Sequence, residues 1–217
     1  MIVIKNFNKR EIKVMFLGES QVGKTSLINR ICYDKFKEDG ISTKSVYLSV
    51  KSIKYKEKDY YFFLWDTPGK EEFRSLIKQS LKDVKIFILV YDITKKKSFL
   101  ELQFWLDYIL ENNGPQSFII LLGNKSDLIS NKEINISDGE KFAKIIKANF
   151  ILVSAKDKSN WMQTFENILT DYLKIKENEQ DEEYKEDEEK KDDETKMLPE
   201  VSPDTLYLAN PSDGFYL

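Results

Sequence analysis

The sequence predicts an α/β protein built on a mostly parallel, doubly wound sheet with helices on both faces. Three observations predict it. Short apolar, β-branched runs recur between residues 12 and 153; stretches with helical spacing separate most of them; and one pair of runs is joined by a tight turn instead. In order, residues 12–17 read as a buried strand, and residues 26–33 as a helix with Leu27, Ile28 and Ile31 on one face. Residues 34–43, polar and containing Gly40, read as a loop. Residues 45–55 alternate, with Val46, Leu48 and Val50 on one side and Tyr47, Ser49 and Lys51 on the other, then turn at Glu57-Lys58-Asp59 into a strand over 60–65. That pair predicts an antiparallel hairpin at the sheet edge.

Residues 84–91 are continuously apolar, as a central parallel strand requires. Phe99, Leu102, Trp105, Leu106 and Ile109 predict a helix over 98–112, with Ser98 as its cap and Asn113-Gly114-Pro115 as its stop. A strand at 118–122, a helix at 137–148 and a strand at 150–153 follow. A helix over 161–175 closes the domain with Phe165, Ile168, Leu169 and Tyr172 inward.

The 217 residues suit one α/β domain, over 1–176, with an extension. Their net charge of −3 hides an asymmetry. Residues 177–196 hold twelve acids against four lysines, net −8, and residues 197–217 hold three acids and no base, which leaves +8 on residues 1–176. The basic excess suits a polyphosphate ligand and does not point to nucleic acid. The acidic stretch cannot bury enough apolar surface to offset its ordering entropy, so it reads as a disordered linker or a solvated helix. Residues 197–217 turn apolar and aromatic among three prolines and a glycine, which suggests a docking peptide for a partner.

Cys32 is the sole cysteine, so no internal disulfide forms and a reducing compartment is expected. No histidine is present, so any chemistry proceeds without an imidazole base. The first residues suit no signal peptide, Ile2 excludes N-myristoylation, and the tail offers no cysteine to a prenyl group. No direct membrane anchor is expected.

The candidate chemistry centres on Gly18-Glu19-Ser20-Gln21-Val22-Gly23-Lys24-Thr25, between the first strand and first helix, which fits G-x-x-x-x-G-K-[ST]. Gly18 and Gly23 let successive N–H groups turn inward onto phosphate oxygens. Lys24 carries a charge for the β- and γ-phosphates, the Thr25 hydroxyl can ligate Mg²⁺, and the helix beginning near Ser26 adds its positive dipole end. The chain therefore binds a nucleoside phosphate.

Asn124-Lys125-Ser126-Asp127 specifies which one. It follows a strand, at the end where α/β sheets bind ligands. The Asp127 carboxylate can accept from guanine N1–H and the exocyclic amine, whereas adenine would oppose it with a lone pair, a mismatch permitting discrimination on the order of 10⁴. Asn124 can tie this loop to the phosphate loop, the Lys125 stem can lie along the purine, and Ser154-Ala155-Lys156 can give a backbone N–H to the guanine carbonyl. Asp66-Thr67-Pro68-Gly69 supplies a carboxylate for Mg²⁺ and an N–H for the γ-phosphate, and Thr43 can reach both. An ATP-using enzyme is contradicted by residues 124–127.

Together these motifs resemble the Ras superfamily of small GTPases across residues 10–175. Trp65-Asp66-Thr67, Phe73-Arg74-Ser75-Leu76, residues 89–94 and Ser98-Phe99 look most like the Rab branch. The resemblance implies six strands with the second antiparallel, GTP or GDP with Mg²⁺, Thr25, Thr43 and Asp66 at the metal, Phe36 beside the guanine, and a nucleotide-dependent switch in vesicle or ciliary transport. It implies effectors on Thr43, Lys44, Ser45, Val46, Tyr47, Trp65, Phe73 and Arg74, and a cytoplasmic protein that meets membranes or the cilium through partners.

Three departures stand out. Thr43-Lys44-Ser45-Val46-Tyr47 replaces the Rab Thr-Ile-Gly-Val-Asp-Phe, residues 79–83 replace Tyr-Tyr-Arg-Gly-Ala, and Lys70 stands where the family has its water-orienting glutamine. An ammonium donates but cannot accept, and Pro68 removes an N–H, so slow intrinsic hydrolysis is expected. Lys70, Pro68, the altered residues 43–47 and the tail without a prenylation cysteine leave open a second reading, a GTP-bound structural subunit of a larger assembly.

Overall fold

The computed structural model describes residues 9–38, 42–78, 80–115, 117–157 and 161–196. Gly40 and residues 197–217 lie outside them. The chain divides into two compact units, Met1–Leu173 and Lys174–Leu217. In the first unit β1 (Glu11–Leu17) leads to α1 (Lys24–Tyr33), followed by the hairpin β2 (Tyr47–Tyr55) and β3 (Lys58–Asp66). A 3₁₀ turn at Glu71–Phe73 and the short α2 (Arg74–Lys78) precede β4 (Ile86–Asp92), α3 (Lys96–Leu100) and α4 (Leu102–Asn113). Then come β5 (Phe118–Asn124), a 3₁₀ segment (Ser126–Asn131), α5 (Ile136–Ile145), β6 (Asn149–Leu152) and α6 (Trp161–Lys196).

The sheet has the order β2-β3-β1-β4-β5-β6, parallel throughout except where β2 runs antiparallel to β3. This is the P-loop GTPase architecture the sequence predicts, with helices on both faces. The strand period of two sends alternate residues to opposite layers. Val14, Phe16, Ile88, Val90 and Leu122 pack under α1 and the first turns of α6, through Leu27, Ile31, Phe165 and Leu169. Met15, Leu17, Phe87, Leu89 and Leu121 pack under α2, α4 and α5, through Ile77, Trp105, Ile109 and Ala143.

Three details differ from the expectations. The hairpin turns at Lys56-Glu57, where Tyr55 pairs with Lys58 and both turn residues take positive φ, 46° and 60°, the backbone twist that favours two-residue hairpins. On β2 the side holding Leu48 and Val50 is the open one, while Ile53 and Tyr55 face the core, because α1 covers that side of the edge. The helix expected over 98–112 breaks at Glu101. Ser98 caps nothing: its hydroxyl accepts from the Asp92 N–H at 3.0 Å and donates to the Lys95 carbonyl at 2.7 Å, pinning α3 to the end of β4. The acidic stretch 177–196 is helical within α6; in the second unit Lys176 pairs with Glu179 one turn along.

Tyr91 is an unsatisfied point in the core. Its ring is fully buried, its hydroxyl has no partner among the described residues, and burial raises its pKa far above the phenol range. A Cβ on Gly139 would lie 2.4 Å from that oxygen, so α5 approaches only because residue 139 has no side chain. Tyr91→Phe is therefore expected to raise stability by about 1 kcal/mol, since it removes an unsatisfied buried hydroxyl. An unchanged or lowered urea midpoint would contradict this.

Lys13 is a buried charge with a partner. It is buried on β1, donates to the Lys82 carbonyl at 2.8 Å and stands 4.3 Å over the Trp65 ring. Burial pulls its pKa down to about 8, with Asp83 opposing the shift. From pH 8 to 10.5 the unfolded chain then binds the proton that the folded one has released, so folding stability rises with pH across that window. Lys13→Met removes this slope. The wild-type stability, measured against the variant's, should improve by about 1–2 kcal/mol between pH 7.5 and 10; equal slopes in denaturant titrations would refute it.

Candidate functional site

A cleft of about 370 Å³ opens at the C-terminal ends of the parallel strands. One end is lined by Ser20, Gln21, Gly23, Lys24, Thr25, Ser26, Ser42, Thr43 and Gly69. The other is lined by Phe36, Asn124, Lys125, Asp127, Ala155 and Lys156. Strand ends place the lining residues and those that support them from behind: β1 delivers the glycine-rich loop, β3 delivers Asp66, β5 delivers Asn124, and β6 runs into Ser154.

The glycine-rich loop turns where residues leave the ordinary backbone regions, at Gln21 (φ 67°) and Gly23 (φ 98°). At Gly23 a side chain would meet the Asn124 amide at 2.3 Å, so the loop and β5 close to a distance only glycine allows. Lys24 is buried, with its ammonium donating to the carbonyls of Gly18 at 2.7 Å and Glu19 at 2.9 Å. Burial lowers its pKa to about 8, with Asp66 and Glu19 pulling the other way. A buried ammonium satisfied only by neutral carbonyls suits an anion.

Beside it the Thr25 hydroxyl donates to Asp66 Oδ2 at 2.6 Å and lies 2.8 Å from the Thr43 hydroxyl. Asp66 Oδ1 is buried without a partner among the described residues, and burial raises the Asp66 pKa against the Thr25 bond and Lys24. Two hydroxyls and one orphaned carboxylate oxygen form the kind of hard, oxygen-only set that fits Mg²⁺, which takes its remaining ligands from phosphate and water. Ser42 Oγ lies 3.4 Å from Ser20 Oγ, so two loops face each other across this end.

The opposite end is a tightly bonded frame. Asn124 Nδ2 donates to the Val22 carbonyl at 2.7 Å, and Asn124 Oδ1 accepts from the Ala155 N–H at 3.3 Å, joining three loops through one side chain. Asp127 is oriented by the Ser154 hydroxyl at 2.5 Å, which also accepts the N–H groups of Lys156 and Asp157. Lys125 pairs with Asp92 at 2.6 Å, and Asp92 in turn accepts from the N–H and hydroxyl of Thr94. Arg30 donates from α1 to the carbonyls of Ala155 and Lys156 at 3.0 and 3.3 Å. At the rim Lys156 meets Glu38 at 2.8 Å. A carboxylate held with one oxygen on a hydroxyl and the residue at the cleft can accept a pair of N–H donors from a base edge.

Some predicted residues act from behind the surface. Gly18, Glu19, Val22 and Ser154 do not line the cleft: carbonyls of the first three hold Lys24 and Asn124, and Ser154 holds Asp127. The Glu19 carboxylate points elsewhere, to Arg74 on α2 at 3.4 Å. Arg74 also reaches Glu101 at 3.4 Å and stacks 3.7 Å from the Phe104 ring. Burial and the repulsion of Glu101 raise the Glu19 pKa, against Arg74 and Lys24. Trp65, expected as an outward partner contact, is buried under Lys13; the exposed residues nearby are Tyr47, Leu48, Val50 and Tyr61. Asp92 and Arg30 were not legible in advance, since a charge closing a β-strand or a helix reads as a solvated end; Ser42 and Glu38 sit in a polar loop with no motif to single them out.

Fold, glycine-rich loop, cation-ready oxygens and a carboxylate for a base define a guanine-nucleotide-binding domain. A model of the Ras family matches residues 13–174, and the chain belongs to that family. It is thus a small GTPase, of a class that binds guanine nucleotides, generally with Mg²⁺, and works with effector proteins. No helix among the described residues is long and apolar enough to cross a membrane.

Proposed function

We propose that the protein is a Rab-like switch in vesicle or ciliary transport that turns GTP over slowly. Residues 1–176 form its GTPase domain, residues 177–196 a charged link, and residues 197–217 a docking peptide. At the cleft, Lys24 and the loop amides hold the phosphates, Asp127 and the backbone of Ser154-Ala155-Lys156 read guanine, and Phe36 flanks it. Thr25, Thr43 and Asp66 would hold Mg²⁺, which when bound neutralises charge between the β- and γ-phosphates. Lys44, Ser45 and Tyr47 are exposed and continue into Leu48 and Val50, which supports an effector surface there; Phe73 and Arg74, half-buried, belong to the same proposed set. The protein reaches membranes through partners.

Lys70 carries the slow-turnover reading. It follows Gly69 at the phosphate end, and its ammonium has no lone pair with which to take the attacking water's proton. In single-turnover assays Lys70→Gln is expected to hydrolyse GTP at least about tenfold faster than wild type, because an amide both donates and accepts. A wild-type rate equal to that of Lys70→Gln would refute the reading. Lys70 equally favours the second role, a GTP-retaining subunit of an assembly; purified protein carrying one unhydrolysed, non-exchanging GTP would decide for it.

A further inference from the structure

Ser20 stands on a boundary. On one side it lines the phosphate end of the cleft, and on the other it lines a second cavity of about 320 Å³ with Glu19, Lys70 and Glu72. Two carboxylates and one ammonium share that space. Glu19 is already engaged by Arg74. Lys70 meets Glu72 at 3.7 Å with the two side chains 49% and 62% exposed, a long, solvated pair of the sort that contributes little. Gly69 fixes where Lys70 starts: a Cβ there would fall 2.4 Å from Ser20 N and from the Glu19 carbonyl carbon. The lysine therefore leaves the chain against the phosphate loop, with a flexible four-carbon stem and a weakly held cation.

We propose that Lys70 exchanges Glu72 for the terminal phosphate of GTP, and is thereby the residue through which this protein prefers GTP to GDP. The inference rests on the reading that the cleft takes GTP. With GDP the terminal phosphate is missing, the β-phosphate is held by Lys24 and the loop, and the ammonium stays on Glu72. With GTP a more highly charged group, sheltered by the cleft, outcompetes a solvated carboxylate. Such a contact holds ground state and transition state alike, so it adds affinity without adding turnover. The same side chain slows hydrolysis and keeps the unhydrolysed nucleotide in place.

The experiment is competitive binding of GDP and of the slowly hydrolysed analogue GTPγS to the full chain with Mg²⁺. Lys70→Met is expected to lose about tenfold of the GTPγS-over-GDP preference, with GDP affinity reporting an intact fold. Glu72→Gln removes the competitor and should raise the preference about threefold. Raising salt from about 50 to about 500 mM should erode the wild-type preference and leave that of Lys70→Met unmoved. An unchanged preference in Lys70→Met, or equal weakening of both nucleotides, overturns the inference. A wild type that binds neither nucleotide overturns the reading beneath it.

Discussion

Asp127→Asn is expected to weaken GTP binding by about four orders of magnitude while leaving the fold intact. The carboxylate is the acceptor at its end of the cleft, and Ser154 holds one of its oxygens at 2.5 Å so that the other is free for a base. An amide of the same shape presents an N–H₂ where two guanine donors arrive, and the loss is that of buried polar groups left facing like partners. The swap should at the same time favour a base that offers an acceptor there. Competition with xanthosine triphosphate checks it: Asp127→Asn should prefer xanthosine to guanosine triphosphate. Unchanged guanine preference would mean that Asp127 does not read the base.

Gly69→Ala is expected to cost about 100-fold in affinity for GTPγS and much less for GDP. The added methyl would sit 2.4–2.5 Å from Glu19 C, Glu19 O and Ser20 N, all backbone atoms that cannot swing aside. Segment 68–72 must retreat, taking with it the Gly69 N–H and the root of Lys70. The fold should survive, because Gly69 opens onto the cleft and not onto the core. Equal loss for both nucleotides would show that the damage spreads into the phosphate loop itself.

The architecture was legible because patterning and chemistry agreed. Apolar runs such as 86–90 can only be buried strands, and the glycine-rich loop announces a strand before it and a helix after it. Side-chain placement was less legible where a residue's partner comes from far along the chain. Trp65 reads as a free aromatic until Lys13, from β1, is seen above it. Glu19 reads as part of a phosphate loop until Arg74, 55 residues on, turns it away. Arg30 closes α1 like any surface arginine, yet is 7% exposed, because carbonyls of residues 155 and 156 surround it. The break at Glu101 has no local signal either: residues 96–113 keep their helical period across it.

The bonds around the cleft differ in kind from place to place. Around Asn124 and Asp127 they are short, largely buried and anchored on strand ends, between 2.5 and 3.3 Å. At the phosphate end Lys24 and Thr25 are held as tightly, at 2.6–2.9 Å, but at its outer edge around Ser20 the contacts are 3.4–3.7 Å long and made by side chains of loops and one five-residue helix. A molecule built this way separates identity from state. Which base is accepted is written into the stiff half, where rearrangement would break several buried bonds at once. On the proposed role of Lys70, the number of phosphates is sensed at the soft edge, where one weak contact replaces another at small cost, and that edge can be retuned by single substitutions without altering what the protein recognises.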